Sequence, residues 1–219
     1  MKPTLEGSDR VLIVEGYSDL RFLAELLESM HLGASERPGA KPIYIHEMHG
    51  KSDVQDKIEV IISPGLLAQK SAIAVVVDAD ANPAGTRASL EQVLSKVCGA
   101  AVPAAGGWVQ SRSHAKVGFH VVPGGARDEV GEVETLVWNA WSKTTENVTV
   151  MVCIESYISC MAAAGLKPKS PDKARVGALL SIRNDDDPRL GPGAQSGVFD
   201  LASPGFADLR SFLDGFRGM

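Results

Sequence analysis

The sequence predicts an α/β fold, a parallel sheet flanked by helices, with a C-terminal helical extension packed on the same domain. Short apolar runs alternate with apolar residues at helical spacing as far as Pro123, and only helical patterns follow. Alternating strands and helices form parallel sheets with right-handed crossovers. We therefore predict one domain over residues 1–219, with an α/β core at 10–123 and a mainly helical extension at 124–219 that completes the functional site.

The first half of the core contains two predicted strands. Residues 11–14 are all apolar, which is typical of a strand buried on both faces. Leucines at helical spacing then predict a helix that ends near Met30. Residues 33–41 are rich in glycine, proline and charge and predict a loop. A short strand at 43–45 and a helix at 52–63 follow.

The second half of the core contains the strongest strand signal. The apolar run 73–77 ends at an Asp-x-Asp sequence. A helix is predicted at 84–97, directly after a proline, which favours the start of a helix. The small residues of 99–107 predict a loop, and 117–122 is the fourth predicted strand.

The extension is predicted to be helical, with one polar loop. Helices are predicted at 132–142, 148–165 and 171–182, and the glycine- and proline-rich stretch 184–197 predicts a loop. A closing helix carries four apolar residues at helical spacing, namely Phe206, Leu209, Phe212 and Leu213. We expect this last helix to dock on the domain.

Composition favours a globular protein in a reducing compartment. The chain has 219 residues, of which 44% are hydrophobic, and a formal net charge of −5. That charge argues against a generally basic nucleic-acid-binding surface, but a site for divalent cations must itself be acidic. The three cysteines show no metal-ligand pairing, and the spacing of Cys153 and Cys160 on a predicted helix favours buried positions. With no signal peptide and no long apolar run, we expect a cytoplasmic protein without membrane association.

Acidic residues follow two of the predicted strands. Glu15 comes after the first strand, and Asp78 and Asp80 come after the third. Ligands of parallel α/β sheets bind at the carboxyl ends of the strands, and clustered carboxylates repel one another unless a proton or a cation intervenes. Hard oxygen ligands select Mg²⁺ or Mn²⁺, and Mg²⁺ implies phosphate chemistry. Alone, a strand followed by Asp-x-Asp also occurs in haloacid-dehalogenase phosphatases, glycosyltransferases and structural turns.

The combination resembles a known domain. The segments VLIVEGYSDLRFL and AIAVVVDADAN are similar to the Toprim domain of topoisomerases, bacterial primases, RecR-type repair proteins and OLD-family nucleases. That family has a Glu after its first strand and Asp-x-Asp after its third. The resemblance spans roughly residues 10–123 and implies that Glu15, Asp78 and Asp80 form the family's metal site.

A second segment resembles one particular group of Toprim proteins. The sequence VGFHVVPGGARDEVGEVETLVW is similar to small stand-alone Toprim proteins related to the OLD nucleases. In these proteins a further Glu at this place and a Lys on a later helix complete the active site, which implies roles for Glu134 and Lys173. OLD-type nucleases also carry a fused ATPase, which this chain does not show. The resemblance therefore implies a separate ABC-type ATPase chain as partner, in a system such as phage defence.

Other residues near these motifs have two interpretations. Asp19, one helical turn after Glu15, could reach the metals or could simply stabilise the start of its helix. Glu132 lies two residues before Glu134, and we predict that it is solvated. The histidines His46, His49 and His120 are expected to be structural.

Charged clusters in the extension are less specific. The densest basic cluster comprises Lys167, Lys169, Lys173 and Arg175. It could contact phosphates or form a solvated loop and helix start. Three consecutive acids, Asp185 to Asp187, favour a solvated turn. Gly50-Lys51-Ser52 lacks the upstream glycine of a P-loop, so we predict no ATP binding by this chain.

The functional prediction is a Mg²⁺- or Mn²⁺-dependent nuclease, a hydrolase that binds DNA in preference to RNA. The resemblance implies that Glu15, Asp78 and Asp80 bind metal, that Glu134 is a ligand of a second metal or orients water there, and that Lys173 stabilises charge on the phosphate. One alternative is a non-catalytic Toprim module that binds nucleic acid or a partner protein. Another is a haloacid-dehalogenase-like phosphatase, disfavoured because Asn82 stands where Thr or Val is usual. A homo-oligomer is compatible with all three.

Overall fold

A five-stranded sheet with the order β2-β1-β3-β5-β4 forms the centre of the molecule. The structure is a computed structural model that describes residues 5, 7–33, 43–50, 54–99 and 104–217. The strands are β1 (Arg10–Val14), β2 (Ile43–Glu47), β3 (Ala72–Asp78), β4 (Trp108–Gln110) and β5 (Lys116–Val122). The first three strands and β5 run parallel, so the predicted α/β class is confirmed.

The edge strand β4 differs from the prediction, which gave four parallel strands. It is antiparallel to β5 and had no strand signal of its own. A strand of three residues is too short to show an alternating pattern. Tertiary contacts support it instead: the Trp108 ring stacks on Phe212 at 5.1 Å between centroids, and its Nε1–H donates to the Phe212 carbonyl oxygen at 2.9 Å.

Nine helices surround the sheet within the described part of the chain. They are α1 (Tyr17–Ser29), α2 (Val54–Ile61), α3 (Pro64–Leu67), α4 (Pro83–Cys98), α5 (Val133–Ser142), α6 (Val148–Ala163), α7 (Pro171–Arg183), α8 (Leu190–Gln195) and α9 (Ala207–Asp214). Short 3₁₀ turns occupy Thr145–Asn147 and Pro204–Phe206. Helix α8 lies inside the stretch 184–197, which is predicted to be a loop. Its six residues include two glycines and a proline, and these residue types indicate a loop rather than a helix. Nearly all of the predicted loop 33–41 lies outside the described residues.

The apolar core has two layers, one on each face of the sheet. Alternate residues of β1 divide between them: Val11 and Ile13 face α2 and α4, whereas Leu12 and Val14 face α1 and the extension. This two-sided cover explains why every residue of β3 is buried. The extension therefore shares a core with the sheet, and its contributions include Trp138, Leu179 and Phe212. Among the described helices, none is long and apolar enough to cross a membrane.

His120 is buried in this core on β5 and has a strongly perturbed titration. Among the residues that the structure describes, neither ring nitrogen has a hydrogen-bond partner, and the ring stacks on Phe212 at 5.4 Å. Burial lowers the pKa of His120 to about 4, while Asp208 raises it and Arg127 lowers it by smaller amounts. The folded protein therefore holds a neutral imidazole, whereas the unfolded chain takes up a proton near pH 6.5.

We expect acid to destabilise the protein through His120. Between about pH 6.5 and 4 the unfolded state binds more protons, so the free energy of unfolding falls as pH falls, by about 3 kcal/mol in total. Urea denaturation at about pH 7 and about pH 4 should show this loss in wild type and a smaller loss in His120→Leu. His49, whose side chain is 83% exposed, supplies the control His49→Leu. Equal pH dependence in wild type and His120→Leu would contradict the prediction.

Candidate metal centre

Three neighbouring strands each lead into an acidic residue at the carboxyl edge of the sheet. β2 ends at Glu47, β3 ends at Asp78, and Glu15 follows β1 directly. Because Val14 is in register with Val76 on the parallel neighbour, Glu15 lies beside the end of β3. The sheet thus brings Glu15 and Asp78 to the same edge, as parallel pairing requires. Glu47 is an acid at this edge that the sequence motifs did not single out.

A backbone bridge fixes the Asp-x-Asp turn to the loop that follows β5. Asp80 has a φ of 48°, and its N–H and carbonyl oxygen exchange hydrogen bonds with Gly131 at 2.7 and 2.8 Å. Gly131 has a φ of 133°, and a Cβ at this position would lie 2.4 Å from the Thr135 Oγ1. Only glycine therefore fits where the loop crosses the turn.

This bridge brings the start of α5 against the end of β3. The Val133 N–H donates to the Asp78 Oδ1 at 3.0 Å, so a buried carboxylate accepts from the first turn of the helix. Asp78, Asp80 and Glu132 each offer a carboxylate oxygen, and these atoms lie within 4.8 Å of one another. We call these three residues the acidic triad. Such a set of oxygen donors suits a hard divalent cation.

The third acid of the triad is Glu132, whereas the sequence predicts Glu134 as the acid that joins the site. The prediction that Glu132 is solvated is wrong, because its side chain is only 13% exposed. Among the described acids, Glu15, Asp19 and Glu134 do not belong to this cluster of oxygens that lie within 4.8 Å of one another. Glu132 precedes α5 by one residue, and its placement follows from the Gly131 bridge.

Lys173, at the start of α7, reaches the triad. Its Nζ donates to the Glu132 Oε2 at 2.7 Å and lies 4.0 Å from the Glu134 Oε2. Burial alone would lower the pKa of Lys173, but the hydrogen bond to Glu132 and the charges of Glu134, Glu132 and Asp78 raise it above its usual value. The Ser170 hydroxyl donates to the other Glu132 oxygen, Oε1. A cationic side chain thus stands beside the acids.

Glu134 lies next to Lys173 and is buried. Its side chain is 10% exposed, and burial raises the pKa of Glu134 to about 7, although Lys173 acts to lower it. The charges of Glu132 and Asp19 also act to raise the pKa. Glu134 therefore faces Lys173 as a carboxyl group that is easily protonated near neutral pH.

Asp19 has a structural role at the start of α1. Its Oδ2 accepts from the Gly16 N–H at 2.9 Å, which satisfies a backbone donor at the helix N-terminus. Burial raises the pKa of Asp19, and the charges of Lys173, Glu132 and Glu47 also act on this group. Because the charges of Lys173 and Glu132 act on its pKa, Asp19 lies near the acidic triad. Its carboxylate also caps α1.

The other charged candidates do not join the acidic triad among the described residues. Arg175 pairs with Glu155 at 2.8 Å and with Asp172 at 2.6 Å, so it belongs to the packing of α6 on α7. Asp187 pairs with Arg189 at 2.6 Å. Burial, the largest cause, lowers the pKa of His46. Lys167 and Lys169 are exposed, and Lys51 and Ser52 lie outside the described residues.

Comparison with known proteins identifies a family but no characterised relative. No curated protein and no solved structure matches the chain. The model of one family, DUF3226, described as a protein of unknown function, matches residues 9–217. This match includes the sheet, the acidic triad and the helical extension. The chain belongs to the DUF3226 family of proteins of unknown function.

Proposed function

We propose that this protein is a Mg²⁺- or Mn²⁺-dependent nuclease that hydrolyses phosphodiester bonds, with DNA favoured over RNA. One observation carries the proposal: oxygens of Asp78, Asp80 and Glu132 converge within 4.8 Å at the carboxyl edge of a parallel sheet. Ligands bind at this edge in parallel α/β proteins, and carboxylates are ligands that Mg²⁺ and Mn²⁺ prefer. The sequence resemblance to Toprim domains supports the same assignment.

The donor set fits a divalent ion. Asp78, Asp80 and Glu132 would hold the first ion, and Glu15, at the same edge, would be a further ligand. Bound ions would supply an activated water and charge stabilisation at the leaving oxygen. Glu134 would be a ligand of a second ion or would orient water there, and Asp19 would remain primarily a helix cap.

Lys173 would bind the scissile phosphate. Its ammonium group stands at the rim of the triad, with a side chain that is 55% exposed and therefore accessible to substrate. A fixed positive charge next to the reacting phosphate stabilises the charge that develops in the transition state. The negative overall charge of the chain fits local recognition of one phosphate rather than a broad nucleic-acid-binding surface. The same resemblance supports a separate ABC-type ATPase as partner, in a defence system.

A second candidate, a non-catalytic binding module, is favoured by a different observation. Protein groups already satisfy part of the triad: Glu132 accepts from Lys173 and Ser170, and Asp78 accepts from Val133. An internal cation can replace a metal ion as the counter-charge of clustered carboxylates. In that case the triad would support the fold of a module that binds a partner.

Metal titration and cleavage assays on the full chain separate these functions. We expect isothermal titration calorimetry to show saturable Mn²⁺ binding, and we expect single- or double-stranded DNA to be cut in Mn²⁺ and not in EDTA. Asp185→Asn, at an exposed acid outside the site, should match wild type in both assays. Absence of any saturable binding would reject the nuclease and favour the non-catalytic module, in which Lys173 supplies the counter-charge. Saturable binding without cleavage would leave the triad as a metal site of a non-catalytic protein.

A further inference from the structure

A cavity opens at the carboxyl edge of the sheet, between the N-terminal halves of α2 and α4. Its volume is about 490 Å³, which is in the range of about 300–1,000 Å³ that small-molecule sites occupy. The helices of a parallel sheet begin at the edge where the preceding strand ends, so α2 and α4 both begin at the edge that holds the acidic triad. The triad itself is not among the described residues that line the cavity. The cavity is therefore a neighbour of the candidate metal centre and not a part of it.

The cavity and the acidic triad lie on opposite faces of the sheet, on either side of one edge. Val77 lines the cavity on the side of α2 and α4, whereas the next residue, Asp78, reaches the Val133 N–H on the side of α5. Asn82, which also lines the cavity, is two residues after Asp80, so their Cα atoms are at most about 7 Å apart. A nucleic-acid strand that crosses this edge could therefore place a phosphate at the triad and the adjoining base in the cavity.

The lining of the cavity combines apolar side chains with groups that form hydrogen bonds. Val77 and Leu90 are buried apolar residues of the lining. The polar residues of the lining are Gln55, Asp56, Asn82, Thr86 and Ser89. Amide and hydroxyl groups can both donate and accept hydrogen bonds, and Asn and Gln are common partners of the edges of nucleobases. A flat heterocycle with apolar faces and a polar edge matches this lining.

A phosphate group does not match the same cavity. The described residues that line it include no Lys or Arg, and the carboxylate of Asp56 would repel an anion. Arg87, on the N-terminal half of α4, instead pairs with Asp128 in the loop after β5. The protein also caps the N-terminus of α4 itself, because the Asn82 Oδ1 accepts from the Gly85 N–H at 3.0 Å. The cavity therefore suits a neutral group and not the backbone of a nucleic acid.

We propose that this cavity binds an unpaired nucleobase next to the scissile phosphate, so that the substrate is single-stranded nucleic acid. The inference rests on the proposed function and specifies its substrate. A base in a duplex is stacked and paired, and it can enter a cavity between two helices only after it leaves the stack.

Asp56 would select the base that enters. Within the described part of the chain, its carboxylate has no hydrogen bond or ion pair. An ionised carboxylate only accepts hydrogen bonds, so it favours bases that present an amino group. Cytosine and adenine present such a group and thymine does not, so the cavity should discriminate against thymine.

Fluorescence anisotropy with labelled oligonucleotides of about 12 residues tests the cavity, with Ca²⁺ in place of Mn²⁺ to suppress cleavage. We expect wild type to bind oligo-dC at least about tenfold more tightly than oligo-dT or a duplex of the same length. Ser89→Trp, which fills the cavity, should lose at least about tenfold in affinity for oligo-dC. Ser95→Trp, at an exposed position of α4 outside the lining, is the matched control and should bind like wild type.

Asp56→Asn tests the selection of the base. An amide both donates and accepts, so this variant should bind oligo-dC and oligo-dT with similar affinity. Asp56 is exposed, so this test remains valid even if Ser89→Trp fails to fold. Equal affinity of wild type for oligo-dC, oligo-dT and duplex would overturn the proposal, and so would unchanged binding in a folded Ser89→Trp.

A second assay on wild type separates this inference from the proposed function. Bis(p-nitrophenyl) phosphate is a phosphodiester without a nucleobase, so its hydrolysis in Mn²⁺ tests the metal centre without base recognition. Hydrolysis together with equal affinity for all the oligonucleotides would keep the nuclease and remove the base site. The expected binding preferences in a protein that hydrolyses no phosphodiester would keep the base site and reject the nuclease.

Discussion

Asp78→Asn is expected to abolish Mn²⁺ binding by the acidic triad and to reduce any metal-dependent cleavage by roughly a thousandfold or more. Asp78 is the buried member of the triad, and the amide replaces a charged ligand with a neutral one of the same shape. Calorimetry with Mn²⁺ and a DNA cleavage time course measure the two effects separately.

The same substitution should leave the metal-free protein as stable as wild type. The oxygen of the introduced amide can still accept from the Val133 N–H, and one of three mutually repelling carboxylates is removed. Asp78→Ala, in contrast, leaves this buried N–H without an acceptor, at a cost of about 1–3 kcal/mol. We expect the melting temperature in EDTA to hold or rise in Asp78→Asn and to fall in Asp78→Ala. A large loss in Asp78→Asn would mean that the carboxylate is mainly structural.

The sequence correctly predicts those elements whose hydrophobic pattern fits only one kind of secondary structure. A run such as 73–77 is apolar at every position because helices cover both faces of β3. Once the strands are parallel neighbours, their carboxyl ends must share an edge, so the placement of Glu15 beside Asp78 follows from the sequence. Strand β4 and helix α8, of three and six residues, are too short to carry a pattern.

The remaining errors concern contacts between distant parts of the chain. Glu132 and Glu134 are two residues apart, and nothing local decides which one joins Asp78. The Asp80–Gly131 bridge decides it, and the clue available in the sequence was a glycine directly before Glu132. The prediction that Cys153 and Cys160 are buried is wrong for a similar reason, because both are exposed on α6. A helix with little charge indicates burial, but the sequence does not say which of its faces the chain covers.

The pair Glu132→Gln and Glu134→Gln tests the assignment of the two acids. Glu132→Gln should weaken Mn²⁺ binding by at least about tenfold, because it removes a charged ligand from the triad. It should also lower the pKa of Lys173, since the hydrogen bond to Glu132 helps to raise that pKa. Calorimetry measures the first effect, and NMR titration of the lysine ammonium group measures the second.

Glu134→Gln should behave differently. The first ion should bind as in wild type, because Glu134 is outside the triad, whereas cleavage should be lost if Glu134 serves a second ion or orients the attacking water. Burial already disfavours the charged carboxylate, so the neutral amide should hold or raise the melting temperature without metal. The reverse pattern, with Mn²⁺ binding lost in Glu134→Gln and kept in Glu132→Gln, would mean that ion binding moves Glu134 past Lys173 into the triad. Unchanged cleavage in Glu134→Gln would leave this carboxyl group as a partner of Lys173 alone.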